Sequence, residues 1–188
     1  MKKRLTIIQM DVHVNDVEYN YTRVQELLSQ SLSEHPDIIV LPETWNTGFY
    51  PSKELINIAD RNGERTQSLL SAFAKEHNVN IVGGSVAVAK NDVVFNTSYA
   101  YNREGTLVGE YSKMHGFSPA KEDQYFAGGT HTTHFELDGI PCSTVICYDI
   151  RFPELVRMAA LPNTELLFVP AQWPTMRLRH WQVINEVR

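Results

Sequence analysis

Near the start of the chain the apolar residues change period, and that change limits the folds open to it. Val17, Tyr21, Val24, Leu28 and Leu32 are spaced by four, three, four and four residues, which places them on one face of a helix. Short apolar runs flank this helix at residues 5–10 and 37–41, the second framed by Pro36 and Pro42. Two buried strands joined by an amphipathic helix can cover their apolar faces only in a layered α/β fold. Residues 63–77 read as a second helix, with Leu69, Leu70, Phe73 and Ala74 on its apolar side. The pattern then shortens to strands. Residues 80–89 and 93–101 flank an Asn91-Asp92 turn, residues 106–112 follow a turn ending at Gly105, and residues 131–137 and 140–146 form a hairpin about Asp138-Gly139. Residues 152–161 read as a helix with Pro153 near its first position and Glu154 in its first turn. A buried strand at 166–169 and a helix from residue 178 complete the pattern. No repeat, low-complexity tract or linker interrupts it. The expectation is one domain over residues 1–188, with mixed strands inside and helices on the outer faces.

Composition removes several classes of function. Of 188 residues, 43% are hydrophobic and 21% charged, as in an ordinary soluble globular protein. A formal net charge of -5, with no Lys/Arg cluster, argues against nucleic-acid binding. No apolar stretch approaches the roughly 18 residues of a membrane span. The run at 5–10 is broken by Asp11 and His13, too soon for a signal peptide. Two cysteines, Cys142 and Cys147, make no disulfide framework, so a reducing, cytoplasmic setting is expected.

Cys147 lies where the apolar residues 143–146 run into the polar turn Tyr148-Asp149-Ile150-Arg151 and then a helix. A side chain at such a strand-to-helix turn is presented at the sheet edge, and the helix start favours a thiolate. The plainer reading is a small buried hydrophobe, which is how Cys142, in mid-strand, is read. Glu43 follows the strand that ends at Leu41-Pro42, where partial desolvation suits a carboxyl group to proton transfer; a capping loop carboxylate is the plainer reading. Lys113 ends the strand 106–112, where a cation would lower the thiol pKa and stabilise an oxyanion, or would simply be solvated.

Together these positions fall in a known pattern. Leu41-Pro42-Glu43 with Thr47-Gly48-Phe49, Tyr111-Ser112-Lys113-Met114-His115, and the stretch from Cys147 through Tyr148, Asp149, Ile150, Arg151, Phe152 and Pro153 to Glu154 resemble the three signature segments of the nitrilase superfamily, in its order. A fourth segment, Val169-Pro170-Ala171-Gln172-Trp173-Pro174 with Arg179-His180-Trp181, fits as well. The resemblance implies a Glu–Lys–Cys triad that opens amide or nitrile bonds through a covalent thioester or thioimidate. Glu43 would be the general base, Lys113 the oxyanion partner beside the Tyr148 backbone N–H, and Cys147 the nucleophile. Neither metal nor organic cofactor is required. Glu122, nine residues after Lys113, matches an accessory acid, with adjacent Asp123 as its competitor.

The pairing of the Cys147 segment with Pro170-Ala171-Gln172-Trp173-Pro174 resembles the omega-amidase branch, which implies a small-molecule substrate, a short dicarboxylate monoamide such as α-ketoglutaramate. Its free carboxylate would need a cation. Arg151 is near in sequence, although pairing with Asp149 or Glu154 to lock the turn is the favoured reading. Phe117, Gln172 and Trp173 read as pocket wall or as ordinary packing. The resemblance further implies an α/β four-layer α–β–β–α sandwich and a homodimer whose interface includes the helix at 152–161. Family members continue beyond residue 188, so the chain is expected to be truncated at its C-terminus relative to them.

Three rivals remain. A papain-like Cys–His site would use His115 or His180. A metal site at His131 and His134 is weak, because residues three apart on a strand face opposite ways. A non-catalytic binding or assembly module would leave the thiol, lysine and glutamate without a reason to sit at three strand ends.

Overall fold

A computed structural model describes residues 2–49, 52–161 and 163–187. The opening unit is as the period implies: β1 (Leu5–Ile7), α1 (Val17–Ser31) and β2 (Ile38–Val40), with β1 and β2 parallel. Asp16 caps α1 by accepting from the Tyr19 N–H, and Tyr21, Val24 and Leu28 are buried beneath it. Between β2 and α3 (Glu64–His77) the chain forms a short helix α2 (Leu55–Ile58) and strand β3 (Asp60–Arg61).

The apolar stretch at 80–89 is two strands rather than one, β4 (Asn80–Val82) and β5 (Val86–Lys90). Gly83 and Gly84 break it. Gly84 has φ +61°, and a Cβ there would lie 2.0 Å from the Pro42 carbonyl oxygen. Glycine thus lets the chain pass directly behind the loop that carries Glu43. β6 (Val93–Tyr101) pairs antiparallel with β4, β5 and β7 (Leu107–Ser112). The large sheet runs β1-β2-β4-β6-β5-β3, with β7 on β6. A second sheet holds β8 (His134–Leu137), β9 (Ile140–Thr144) and β10 (Leu166–Phe168), with α4 (Pro153–Ala160) between β9 and β10 in sequence and α5 (Leu178–Val187) last.

Alternation along β2 shows how the layers stack. Ile39 packs with Tyr21, Val24, Leu28, Leu70 and Phe73 of α1 and α3. Ile38 and Val40 turn the other way, joining Val82 and Ala100 against Phe135, Leu137, Cys142 and Phe168 of the second sheet. On that sheet's far side Val145 and Leu167 meet Leu155 and Ala159 of α4. The order is α–β–β–α. Strands covered on both faces read as continuous apolar runs, as β2 does. Cys142 is core, as expected, and burial pushes its thiol up to about 11.

One ionic cluster ties the two sheets together at the end away from Glu43. The Arg103 guanidinium donates to Asp37 at 2.9 Å and Asp138 at 2.7 Å, and Lys3 donates to Asp138 at 2.8 Å. The Arg103 hydrogen bond holds the Asp138 carboxyl well below its usual range, and the Arg4 backbone N–H, then Lys3 and Arg103, lower that of Asp37. Groups depressed on folding stabilise above their unfolded pKa, and that contribution fades as pH falls below about 4. Arg103→Met is therefore expected to lower the melting temperature at pH 7 and to flatten its fall between pH 5 and pH 3. A melt series in which variant and wild type fall in parallel would refute this.

Candidate active site

Three strand ends converge on one buried cluster. Glu43 leaves β2 through a turn in which Thr44 has φ +40°. Ser85 holds that turn: its N–H donates to the Pro42 carbonyl at 3.0 Å, and its hydroxyl accepts from the Thr44 N–H at 3.0 Å. Lys113 follows β7, its N–H still donating to the Asn96 carbonyl at 2.8 Å. Beyond β9 the chain stays beside β10, with Val145 N–H on Phe168 and Cys147 N–H on the Pro170 carbonyl at 2.9 Å. Cys147 itself has φ +47°, a strained conformation of the kind found where a nucleophile is held out at a sharp strand-to-helix turn.

That turn is fixed by a buried carboxyl group. Asp149 Oδ2 accepts from the Ile146 N–H at 3.1 Å and from the Tyr111 hydroxyl at 2.7 Å. Its Oδ1 accepts from the His115 N–H at 2.9 Å and faces His115 Nδ1 at 3.0 Å. Burial raises the Asp149 pKa, against the hydrogen bonds from Tyr111, Ile146 and His115, which lower it.

Glu43, Lys113, Glu122 and Cys147 are 0, 3, 1 and 4% exposed, so their charges must be met inside the protein. Lys113 Nζ donates to Glu43 Oε1 at 2.8 Å and to both Glu122 oxygens at 2.9 and 2.8 Å. Asn96 Nδ2 bridges the same two carboxyl groups, 3.1 Å from Glu43 and 3.2 Å from Glu122. The second oxygen of Glu43 accepts from the Gln172 N–H at 2.8 Å, and that of Glu122 from the Phe117 N–H at 2.6 Å. The Cys147 thiol lies close enough to Glu43 to feel its charge. Burial alone would lower the Lys113 pKa; Glu43, Cys147 and Glu122 more than offset it, and the ammonium is held firmly protonated. The thiol goes the opposite way from the sequence expectation. Burial, then Glu43, raises its pKa well above the ordinary value, and Lys113 only partly opposes them. At rest the site holds a neutral thiol beside a base, not a preformed thiolate.

The other site residues read from sequence fall around this cluster. Glu122 reaches Lys113, whereas Asp123 is exposed. Phe117, Tyr148, Arg151, Gln172 and Trp173 all line one cavity with Cys147, joined by Phe49, Pro174 and Arg177. Arg151 does not lock the turn as expected. Asp149 is occupied by Tyr111, His115 and Ile146, and the Arg151 guanidinium lies 5.4 Å from the Tyr148 ring centroid, without an ion pair among the described residues. His115 is held by Asp149 and stacked on Phe152 at 3.6 Å, and His180 is exposed on α5. Among the described residues no group of three His, Cys, Asp or Glu side chains is placed to hold a metal ion.

Sequence reading missed three contributors. Asn96 had a signal in the run Asn96-Thr97-Ser98, polar residues inside an apolar strand and all buried. Asp149 was seen, but as a partner for Arg151. Arg177 had no signal beyond its place after Pro174.

Comparison with known proteins gives the family. Residues 4–188 match the family model described as carbon-nitrogen hydrolase. A 2-oxoglutaramate amidase of Bacillus subtilis (strain 168) is 41% identical over 182 residues, 97% of this chain and 70% of that protein. An omega-amidase of Danio rerio is 32% identical over 200 residues, 100% of this chain and 70% of its own length. In structure, a CN-hydrolase superfamily protein of Xanthomonas campestris, with an arsenic adduct in its active site, superposes with a TM-score of 0.85 at 27% identity, over 97% of this chain and 69% of that one. Among the described residues no helix is long and apolar enough to cross a membrane.

Proposed function

This chain belongs to the carbon–nitrogen hydrolase family, and from that premise we propose that it is an omega-amidase, releasing ammonia from short dicarboxylate monoamides such as α-ketoglutaramate. The observation that carries the reading is the buried Glu43–Lys113–Glu122 cluster with the Cys147 thiol beside Glu43. In the first half-reaction Glu43 takes the thiol proton as Sγ bonds to the amide carbon. The carbonyl π pair moves to oxygen, and Lys113 with the Tyr148 backbone N–H stabilises the oxyanion. Glu43 returns the proton to nitrogen, the C–N bond breaks, and ammonia leaves a thioester. In the second half-reaction Glu43 draws a proton from water, whose oxygen attacks the thioester carbon. The C–S bond breaks, the thiol regains its proton, and the dicarboxylate leaves.

Glu122 and Asn96 support this by holding Lys113 and Glu43 in register without reaching the substrate. Phe117, Gln172 and Trp173 form the pocket wall, and Arg151 contributes positive charge at its edge. The chain is read as one domain over residues 1–188. Two free thiols suit a cytoplasmic setting, and Met158 and Leu161, exposed on and just after α4, suit a homodimer through that helix.

Ammonia release from α-ketoglutaramate, glutamine, asparagine and a simple nitrile tests the assignment, with Cys147→Ala as the blank. The keto-amide is expected to be the best substrate by at least about tenfold in kcat/KM, the level at which a charge-assisted contact discriminates. Faster Cys147-dependent turnover of the nitrile, or equal turnover of all the amides, would discard it.

A further inference from the structure

We propose that Arg177 is the specificity-determining residue that binds the substrate's free carboxylate, with Arg151 as its weaker companion; this rests on the omega-amidase reading above. The argument begins with charge. The buried cluster holds two carboxyl groups, Glu43 and Glu122, against the single ammonium of Lys113. A second carboxylate carried in on a substrate meets a formally negative centre and needs cations on the opposite side of the cavity. Two guanidinium groups line that cavity together with Cys147, those of Arg151 and Arg177. Neither has an ion pair among the described residues, so both keep their donors for a ligand.

Geometry ranks the two. The Arg177 guanidinium lies 5.2 Å from the Phe117 ring centroid and that of Arg151 lies 5.4 Å from Tyr148; the two rings meet edge-on at 5.0 Å. The cations therefore flank one aromatic pair. Arg177 is partly buried and Arg151 exposed, so a carboxylate meets Arg177 with less screening by water. Arg177 is also better anchored. Its N–H donates to the Pro174 carbonyl at 2.8 Å, and its carbonyl accepts from Trp173 Nε1 at 2.9 Å. The ring it lies over belongs to Phe117, whose N–H is bonded to Glu122. The charge reader and the lysine holder thus share one residue, which keeps the carboxylate site in register with the reacting thiol. A planar fork on a fixed backbone suits bidentate capture of a carboxylate.

The test compares wild type, Arg177→Leu, Arg177→Lys and Arg151→Leu on α-ketoglutaramate and on uncharged butyramide. It adds Cys147 alkylation by iodoacetate and by iodoacetamide, with the labelled cysteine identified by peptide mass and folding checked by thermal melts. Arg177→Leu is expected to lower the ratio of kcat/KM for the keto-amide over butyramide by about 10- to 100-fold, mainly through KM. The iodoacetate-to-iodoacetamide rate ratio should fall in parallel. Arg177→Lys should recover part of both, and Arg151→Leu should show the smaller change. An iodoacetate preference that survives Arg177→Leu in a folded variant overturns the role of Arg177. Wild type that does not turn over the keto-amide, yet shows an Arg177-dependent iodoacetate preference, supports the cation site and sinks the omega-amidase reading instead.

Discussion

Replacing Lys113 with methionine is expected to cut turnover by at least about a thousandfold and to destabilise the fold by about 3–5 kcal/mol at neutral pH. Both effects follow from one ammonium. Lys113 Nζ is 2.8 Å from Glu43 and from Glu122, and all three side chains are almost wholly buried. Removing one member of a buried ionic group leaves the others uncompensated, which costs far more than the group's net contribution. Here two carboxyl groups would be left with the Asn96 amide as the one donor they share among the described residues. Like charges so placed cannot both stay ionised, so one takes a proton. The stability deficit should therefore shrink as pH falls from 8 to 5. In wild type the sign differs: a lysine raised on folding stabilises fully below its unfolded value of 10.5 and loses that contribution only as pH rises through the folded one. Adding Glu122→Gln to Lys113→Met should restore much of the stability and none of the turnover, since the oxyanion partner is still missing. Urea unfolding and ammonia release on the same samples decide the matter. A Lys113→Met variant within 1 kcal/mol of wild type, on the order of one ordinary hydrogen bond, would mean that the lysine is not the charge that holds the cluster.

What could be read from sequence divides along a physical line. Features set by local period were legible: the stripe of α1, the turn residues Asp138-Gly139, and a cysteine at the end of an apolar strand. The three segments around Glu43, Lys113 and Cys147 supplied the family, and with it the four layers. Features set by long-range approach were not. The sheet order β1-β2-β4-β6-β5-β3 places β4 against β6, not β5, and no local pattern encodes that. Gly83-Gly84 looked like part of one strand because its reason, the carbonyl of Pro42 lying against Gly84, is forty-two residues away in sequence. Asn96 sits on a strand far in sequence from both carboxyl groups it bridges. The sign of the thiol shift depended on depth: a helix start and a lysine favour a thiolate, but burial of Cys147 beside Glu43 outweighs both. Arg151 was misread because Asp149, its nearest acid in sequence, spends its oxygens on the turn and on Tyr111 and His115.

Glu43→Gln should separate two quantities that a preformed thiolate would tie together. Turnover is expected to fall by about 10²- to 10⁴-fold, the usual effect of losing a positioned base. The Cys147 thiol should nevertheless become easier to ionise. Burial is the largest cause of its raised pKa, but Glu43 comes next through its charge, and the glutamine removes that charge. The pH profile for alkylation of Cys147 by iodoacetamide should shift to lower pH while amide hydrolysis collapses at every pH. The fold should survive. A glutamine oxygen can still accept from Lys113 and Asn96, and the bond most exposed to loss is the one from the Gln172 N–H to Glu43 Oε2 at 2.8 Å, worth about 1–3 kcal/mol if left unmet. If hydrolysis needed only a stable thiolate, the variant would gain activity at low pH. A base that must carry the proton between sulfur, nitrogen and water predicts the reverse, with a thiol more readily alkylated in an enzyme that scarcely turns over. An alkylation profile that stays in place or moves to higher pH would mean that Glu43 does not govern this thiol, and the division of roles between Glu43 and Lys113 would then have to be redrawn.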